Sequence, residues 1–313
     1  MAVTFGRCET GWLFVVVALA TLAAAGPAQA ESALADPALA DPALAKPALA
    51  DPRTISDIGL NNSESARFDA VGDRWLVSNL GTRGPGNDGF ITIVDPDGRV
   101  VTPKWIAGGV DGAELRDPLG LIVHGNTVYV ADTATVRSYD RVTGTPGAAW
   151  PVPGAIRLND LIVDASGSIY ITDSGTDETP GAIFRIRNGK VTEFARRDPA
   201  LERPNGIAIM SDGNIVHGGR GVNLVVRSPS GKIVREITLP LGRIDGIVAR
   251  PDGALLVASQ DGHLVYRVPP AGKVEVVVRD IPIPAAIGLD TKRNILVVPQ
   301  IVASNLTFVA LSR

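Results

Sequence analysis

Cysteine is nearly missing from this chain. Cys8 is the only one in 313 residues, which excludes an intramolecular disulfide framework and a thiolate metal centre. Histidine is scarce too: His124, His217 and His263 are the full set, and no two stand at metal-ligand spacing. Aromatic residues make up only 5% of the chain, and neither sign of charge dominates, with 30 Lys and Arg against 33 Asp and Glu. Such a balance offers no basic footprint for nucleic acid. The sequence lacks a G-x-S-x-G elbow, so a serine hydrolase of the α/β type has no support. It also lacks a phosphate-cradling glycine loop between a strand and a helix.

Long apolar runs are limited to one, Trp12–Ala25. At about 14 residues it is shorter than the ~20 needed to span a bilayer. Arg7 precedes it, and Ala28-Gln29-Ala30 follows in the small-residue pattern of a cleavage site. Residues 1–30 therefore read as a signal peptide, which directs the chain to the periplasm or outside the cell without a lasting membrane anchor. Cys8 lies ahead of the apolar run, the wrong side for a lipoprotein cysteine. Residues 31–52 repeat ALADP and ALAKP, where proline at every fifth position forbids a continuous helix and leaves a semi-rigid tether. The folded domain is expected over 53–313.

That domain carries strand-and-turn grammar. Short runs rich in Val, Ile and Tyr, such as Thr127–Val130, Ala254–Val257 and Asn294–Val298, alternate with Gly, Pro, Asp and Asn clusters. Four segments stack without gaps: ESARFDAVG from Glu64, NDLIVDASG from Asn159, NGIAIMSDG from Asn205 and DGIVARPDG from Asp245. Each opens on a carboxylate or amide, runs through an apolar strand and meets glycine eight positions on. Weaker copies around Leu119 and Ala285 bring the number to six, at about 43 residues each, the size of a four-stranded blade. The sequence thus predicts an all-β, six-bladed propeller of four-stranded antiparallel blades. The last unit has room for three strands, and Thr54–Ile58 is expected to supply the fourth and close the ring.

In a propeller the first strand of every blade lines the central channel. The equivalent positions Glu64, Leu119, Asn159, Asn205, Asp245 and Ala285 should therefore form a ring. Second strands return to the same face, which would carry Asn79, Asp132, Asp173 and Ser259 toward the pocket rim. Two carboxylates brought together out of water repel, and a divalent cation would relieve them. Oxygen donors favour a hard ion such as Ca2+ or Mg2+, with Mn2+ possible and Zn2+ less suited. The alternative is a polar channel lining, since Asn-Gly and Asp-Gly are also common turn dipeptides.

At these residues the chain resembles the gluconolactonase, senescence-marker-protein and luciferin-regenerating-enzyme-like family of calcium-dependent propellers. The motifs are Glu64-Ser65-Ala66 with Val77-Ser78-Asn79, Arg157-Leu158-Asn159-Asp160, Arg203-Pro204-Asn205-Gly206 and Asp245-Gly246. The resemblance implies metal ligation by Glu64, Asn205 and Asp245, with Asp245 also the general base. It places Arg157 and Asn159 against a small-molecule substrate. The implied reaction is hydrolysis of a lactone or related ester, and the alternative is a propeller that binds a protein or small molecule without chemistry. Ser65-Ala66 stands where sugar-lactonase members carry Gly-Pro. Leu119 and Ala285-Ala286 make one side of the channel apolar, so a less polar substrate stands as an alternative beside a sugar lactone.

Overall fold

The computed structural model describes residues 51–312 apart from 83 and 85. The expected signal peptide, and the tether up to its last two residues, lie outside the described residues. Twenty-four strands form six antiparallel sheets of four strands each, and the only helical turn among the described residues is Pro199–Leu201.

The chain enters on β1 (Arg53–Ile55). Blade 1 follows as β2 (Ser63–Asp69), β3 (Arg74–Asn79), β4 (Phe90–Val94) and β5 (Val100–Ala107). Blade 2 is β6 (Pro118–His124), β7 (Thr127–Asp132), β8 (Thr135–Asp140) and β9 (Pro146–Pro151). Blade 3 comprises β10 (Leu158–Val163), β11 (Ile169–Asp173), β12 (Ala182–Arg187) and β13 (Lys190–Ala195). Blade 4 contains β14 (Ile207–Ile209), β15 (Ile215–His217), β16 (Asn223–Arg227) and β17 (Ile233–Thr238). Blade 5 has β18 (Ile244–Ala249), β19 (Leu255–Ser259), β20 (Leu264–Val268) and β21 (Glu275–Val278). Blade 6 supplies β22 (Gly288–Asp290), β23 (Ile295–Gln300) and β24 (Asn305–Ala310), and β1 completes it by pairing with β24. The expected closing strand is thus found, three residues long, with Thr54 and Thr307 hydroxyls 2.7 Å apart across the seam.

Glycine at the end of the repeat explains itself locally. Gly167, Gly213 and Gly253 adopt positive φ in tight turns whose amides donate back to Asp164, Met210 and Arg250. Apolar residues on the two faces of each sheet then fill the gaps between neighbours. Six clusters result, one per blade–blade interface; Trp75, Val77, Val297 and Phe308, for example, join blade 1 to blade 6. Every sheet is therefore covered on both faces, and the ring has no uncovered blade.

Candidate functional site

Four inner strands share one irregularity. The pairing register slips between Ser63 and Ser65, Pro118 and Leu121, Leu158 and Leu161, and Ile244 and Ile247. Each slip is a bulge that re-aims the residues within it. Those residues include Glu64, Leu119, Asn159 and Asp245, four of the six positions read as a ring. Asn205 sits just ahead of β14, its amide donating to the Gly218 carbonyl.

The glycines after Asn205 and Asp245 do not mark hairpin turns. A β-carbon on Gly206 would collide with the backbone carbonyl of Asp245, and one on Gly246 would collide with the backbone of Ala286 and Ile287. The inner strands of blades 4, 5 and 6 approach so closely that only hydrogen fits between them.

A cavity of about 270 Å3 opens at this level. Glu64, Asn159, Asn205 and Asp245 line it together with Arg157, Gln260 and the apolar Leu80, Leu119 and Ile301. The ring expectation holds at five positions: Glu64, Leu119, Asn159, Asn205 and Asp245 all reach the cavity, whereas Ala285 is fully buried and not among its lining residues. The four expected rim residues lie elsewhere, because their polar groups are committed to the loops feeding each inner strand. Asn79 accepts from the Asn61 amide, and Asp132 accepts from Arg116 and Asp117. Asp173 accepts from Ile156 and Arg157, and Ser259 donates to Gly242. All four are fully buried. Asp173 still serves the site at one remove, since it fixes the backbone from which Arg157 projects.

Four buried oxygens of this cluster have no hydrogen-bond partner: Oε2 of Glu64 and Oδ1 of Asn159, Asn205 and Asp245. Buried polar atoms are rarely left so, and four in one cavity from four blades form a prepared set of acceptors. Burial is the main force pushing Glu64 well above the usual carboxylate range, with Asp245 and Asp160 adding to it and Arg157 and Arg67 opposing it. Burial likewise pushes Asp245 up to about 7, reinforced by Asp160 and countered by Asn205, Arg157 and Arg243. Among the described residues there is no group of three or more His, Cys, Asp or Glu arranged for a metal. The acceptors here are instead two carboxylates and two amides, a hard oxygen set that fits an oxygen-seeking divalent cation.

Three participants escape the repeat logic. Gln260 donates to Asp245 Oδ2 at 2.6 Å from the turn after β19. Asp160, next to Asn159, is wholly buried and paired with Arg67 at 3.0 Å. Arg67 also donates to the carbonyls of Leu121 and Ile287, so one side chain of blade 1 reaches blades 2, 3 and 6 beneath the acceptor cluster. Asn159 is held by a relay: its amide donates to Ser174 Oγ at 3.0 Å, and that hydroxyl donates to the Pro204 carbonyl at 2.8 Å, beside Asn205.

His217 is buried and accepts from Arg227 Nε, and no histidine lines the cavity. Trp150 packs against Tyr129 where blades 2 and 3 meet.

Comparison with solved structures gives a common fold at low identity. XC5397, a gluconolactonase from Xanthomonas campestris, superposes with a TM-score of 0.65 at 16% identity, over 84% of this chain and 91% of that one. A catalytically inactive histidine-to-alanine variant of virginiamycin B lyase from Staphylococcus aureus, with quinupristin, matches at 0.58 and 15%, over 84% and 100%. The Cps50 propeller domain of Myceliophteria thermophila matches at 0.56 and 13%, over 83% and 99%. These likenesses are of fold alone. A search of curated proteins gives no significant match. The model of the SMP-30/gluconolactonase/LRE-like region matches residues 87–298, from the end of the first long loop to β23, with Glu64 lying ahead of it. With that match over most of its length and a six-bladed ring to carry it, the chain belongs to the SMP-30/gluconolactonase/LRE-like family.

Proposed function

We propose that the protein is an exported, metal-dependent hydrolase of a lactone or related ester. The observation that carries this reading is the set of four partnerless buried oxygens on Glu64, Asn159, Asn205 and Asp245. Glu64, Asn205 and Asp245 would hold a divalent cation, Ca2+ by preference, with Asn159 beside it toward the substrate. When bound, such an ion polarises a carbonyl and stabilises charge developing on its oxygen.

The chain's own residues supply the rest. Asp245 takes the proton from an attacking water, while Gln260 fixes the carboxylate through Oδ2. The water oxygen bonds to the carbonyl carbon, the ester C–O bond breaks, and the leaving oxygen takes up a proton. Arg157 and Asn159 orient the substrate from blade 3, one anchored through Asp173 and the other through Ser174. The lyase fold relative with an inactivating histidine substitution does not extend its chemistry to a cavity that no histidine lines.

The test joins binding to turnover. Ca2+ should raise the melting temperature of the purified protein, a chelator should reverse it, and a panel of lactones and esters should be hydrolysed only with the ion present. Asp245→Ala should lose both. An Asp245→Ala protein that keeps full ion binding and full turnover would overturn the assignment. An ion-binding protein that turns over nothing would leave a propeller that binds its ligand without chemistry.

A further inference from the structure

The residue two positions before each ring residue follows a pattern of its own. In blades 3, 4 and 5 it is arginine: Arg157 before Asn159, Arg203 before Asn205 and Arg243 before Asp245. In blades 1, 4, 5 and 6 the equivalent residues Asn62, Arg203, Arg243 and Ile283 all adopt left-handed backbone, with φ between 47° and 56°. Left-handed backbone is uncommon outside glycine and an outlier for a β-branched residue such as Ile283. The repeated strain therefore has a common geometric role. It turns the chain sharply into the inner strand and leaves the Arg203, Arg243 and Ile283 side chains on the cavity wall.

The wall that results is divided. Blades 3 to 5 contribute Arg157, Arg203, Arg220 and Arg243; blades 6, 1 and 2 contribute Ile283, Ile301, Val302, Leu80 and Leu119. Arg203 and Arg220 share one carboxylate, Asp177, at 2.7 and 2.6 Å. Arg157 and Arg243 are solvent-facing and form no side-chain hydrogen bond or ion pair among the described residues. The acidic groups they influence are Glu64 and Asp245, with Asp117 beside Arg157. A divalent ion on Glu64 and Asp245 would neutralise those two carboxylates and leave the arginine wall with surplus positive charge.

Resting on the hydrolase reading for where the reacting carbonyl sits, we propose that the substrate is an amphipathic anion. It carries a carboxylate or similar oxyanion held by Arg157 and Arg243, and an apolar portion laid against the Leu80, Leu119 and Ile283 wall. Guanidinium groups suit planar oxyanions, and rigid backbone anchors make the pair ready-placed: Asp173 accepts from the Arg157 amide, and the Arg243 carbonyl accepts from the Gln260 amide.

Two measurements test it. The first compares kcat/KM for 4-nitrophenyl hexanoate and for the mono-4-nitrophenyl ester of adipic acid, which add the same reacting carbonyl to a neutral or a carboxylate-ended chain. The second titrates hexanoate and hexanamide into the protein by calorimetry, without any turnover. The anionic ester should be preferred about tenfold or more, as a charge-assisted bond allows. Hexanoate should bind more tightly than hexanamide by a similar factor. Both preferences should shrink toward unity in Arg157→Gln and Arg243→Gln and at high salt. Equal binding of hexanoate and hexanamide, or a preference untouched by both substitutions, overturns the proposal even if both esters are hydrolysed. Arginine-dependent binding of hexanoate with no hydrolysis of either ester upholds the anion site and removes the hydrolase reading instead.

Discussion

The guanidinium of Arg67 and the carboxylate of Asp160 meet at 3.0 Å with almost no exposure, one from the first blade and one from the third. Burial pushes Asp160 above the usual carboxylate range, and Arg67 is the largest influence pulling it back. A buried pair of this kind contributes little net stability when intact, but its halves are costly alone. Arg67→Met or Asp160→Asn should each destabilise the protein by about 3–5 kcal/mol. The combined Arg67→Met, Asp160→Asn protein should lose much less than the sum of the two single losses. Urea unfolding of the three variants checks this; strictly additive losses would show that the two groups act independently.

Gln260 lines the cavity and acts through its bond to Asp245, which makes it a positioning residue. Gln260→Leu removes the 2.6 Å bond to Oδ2 and leaves that oxygen to drift. Ion affinity or kcat should fall about 10–100-fold, as for other outer partners of ligating carboxylates. Gln260→Glu should raise the pH at which kcat reaches half its plateau, because a second carboxylate disfavours ionised Asp245. A variant with unchanged calcium titration and unchanged pH profile would show that Gln260 has no part in placing Asp245.

Gly206 has no room for a side chain, because the Asp245 carbonyl of the next blade occupies the space. Gly206→Ala should therefore cost about 1–3 kcal/mol through overpacking. It should also weaken ion binding more than an alanine at the open turn glycine Gly213. Parallel thermal melts with and without Ca2+ separate the two effects.

The pH dependence of stability has a definite sign. Asp245 rises from an ordinary 3.8 to about 7 in the folded protein without an ion, so the folded state holds its proton more tightly. Stability from this group is fully present below pH 3.8 and is lost as the pH rises to about 7. Glu64 shifts in the same direction. His217 works oppositely, because burial and Arg227 lower it from 6.5 to about 3, so its contribution is present above 6.5 and lost in acid. The difference between ion-loaded and ion-free protein isolates the carboxylates. Stabilisation by saturating Ca2+ should grow from pH 5 to pH 8, on the order of 2–4 kcal/mol. A calcium increment that is flat across this range would count against Glu64 and Asp245 as ligands.

The sequence made the ring residues visible because each is tied by spacing to a turn glycine. Glu64, Asn159, Asn205 and Asp245 stand eight positions before one, and three of those glycines need positive φ. Blade count and the closing strand followed from the same arithmetic. Strand direction alone carried Asn79, Asp132, Asp173 and Ser259 to the correct end of the blades, but it could not assign their partners. Those partners are backbone amides and carbonyls, which no side-chain pattern records. Gln260 lies one position beyond a strand end, as Ser174 does in blade 3, and each is hydrogen-bonded to the ring residue of its own blade, a column that the spacing to the turn glycine does not mark. Arg203 and Arg243 did have a signal: both fall two positions before a ring residue, as Arg157 does, and aligning that column as well as the ring column would have found all three. Arg67 offered none. It sits in a strand otherwise read as blade filling, and its partner Asp160 lies 93 residues away in another blade.

Closure by β1 against β24 has a kinetic meaning. The first described strand and the last are 250 residues apart in sequence, yet the sixth sheet is incomplete until they meet. Glu64 follows the opening strand by nine residues, while Asp245 belongs to the fifth blade. A polypeptide still arriving from its N-terminal end can build individual sheets, but it cannot seat its first blade beside its sixth. The cavity walls come from all six blades, so whatever binds there meets its full set of contacts only in a finished circle, and ligand binding doubles as a reporter of ring closure.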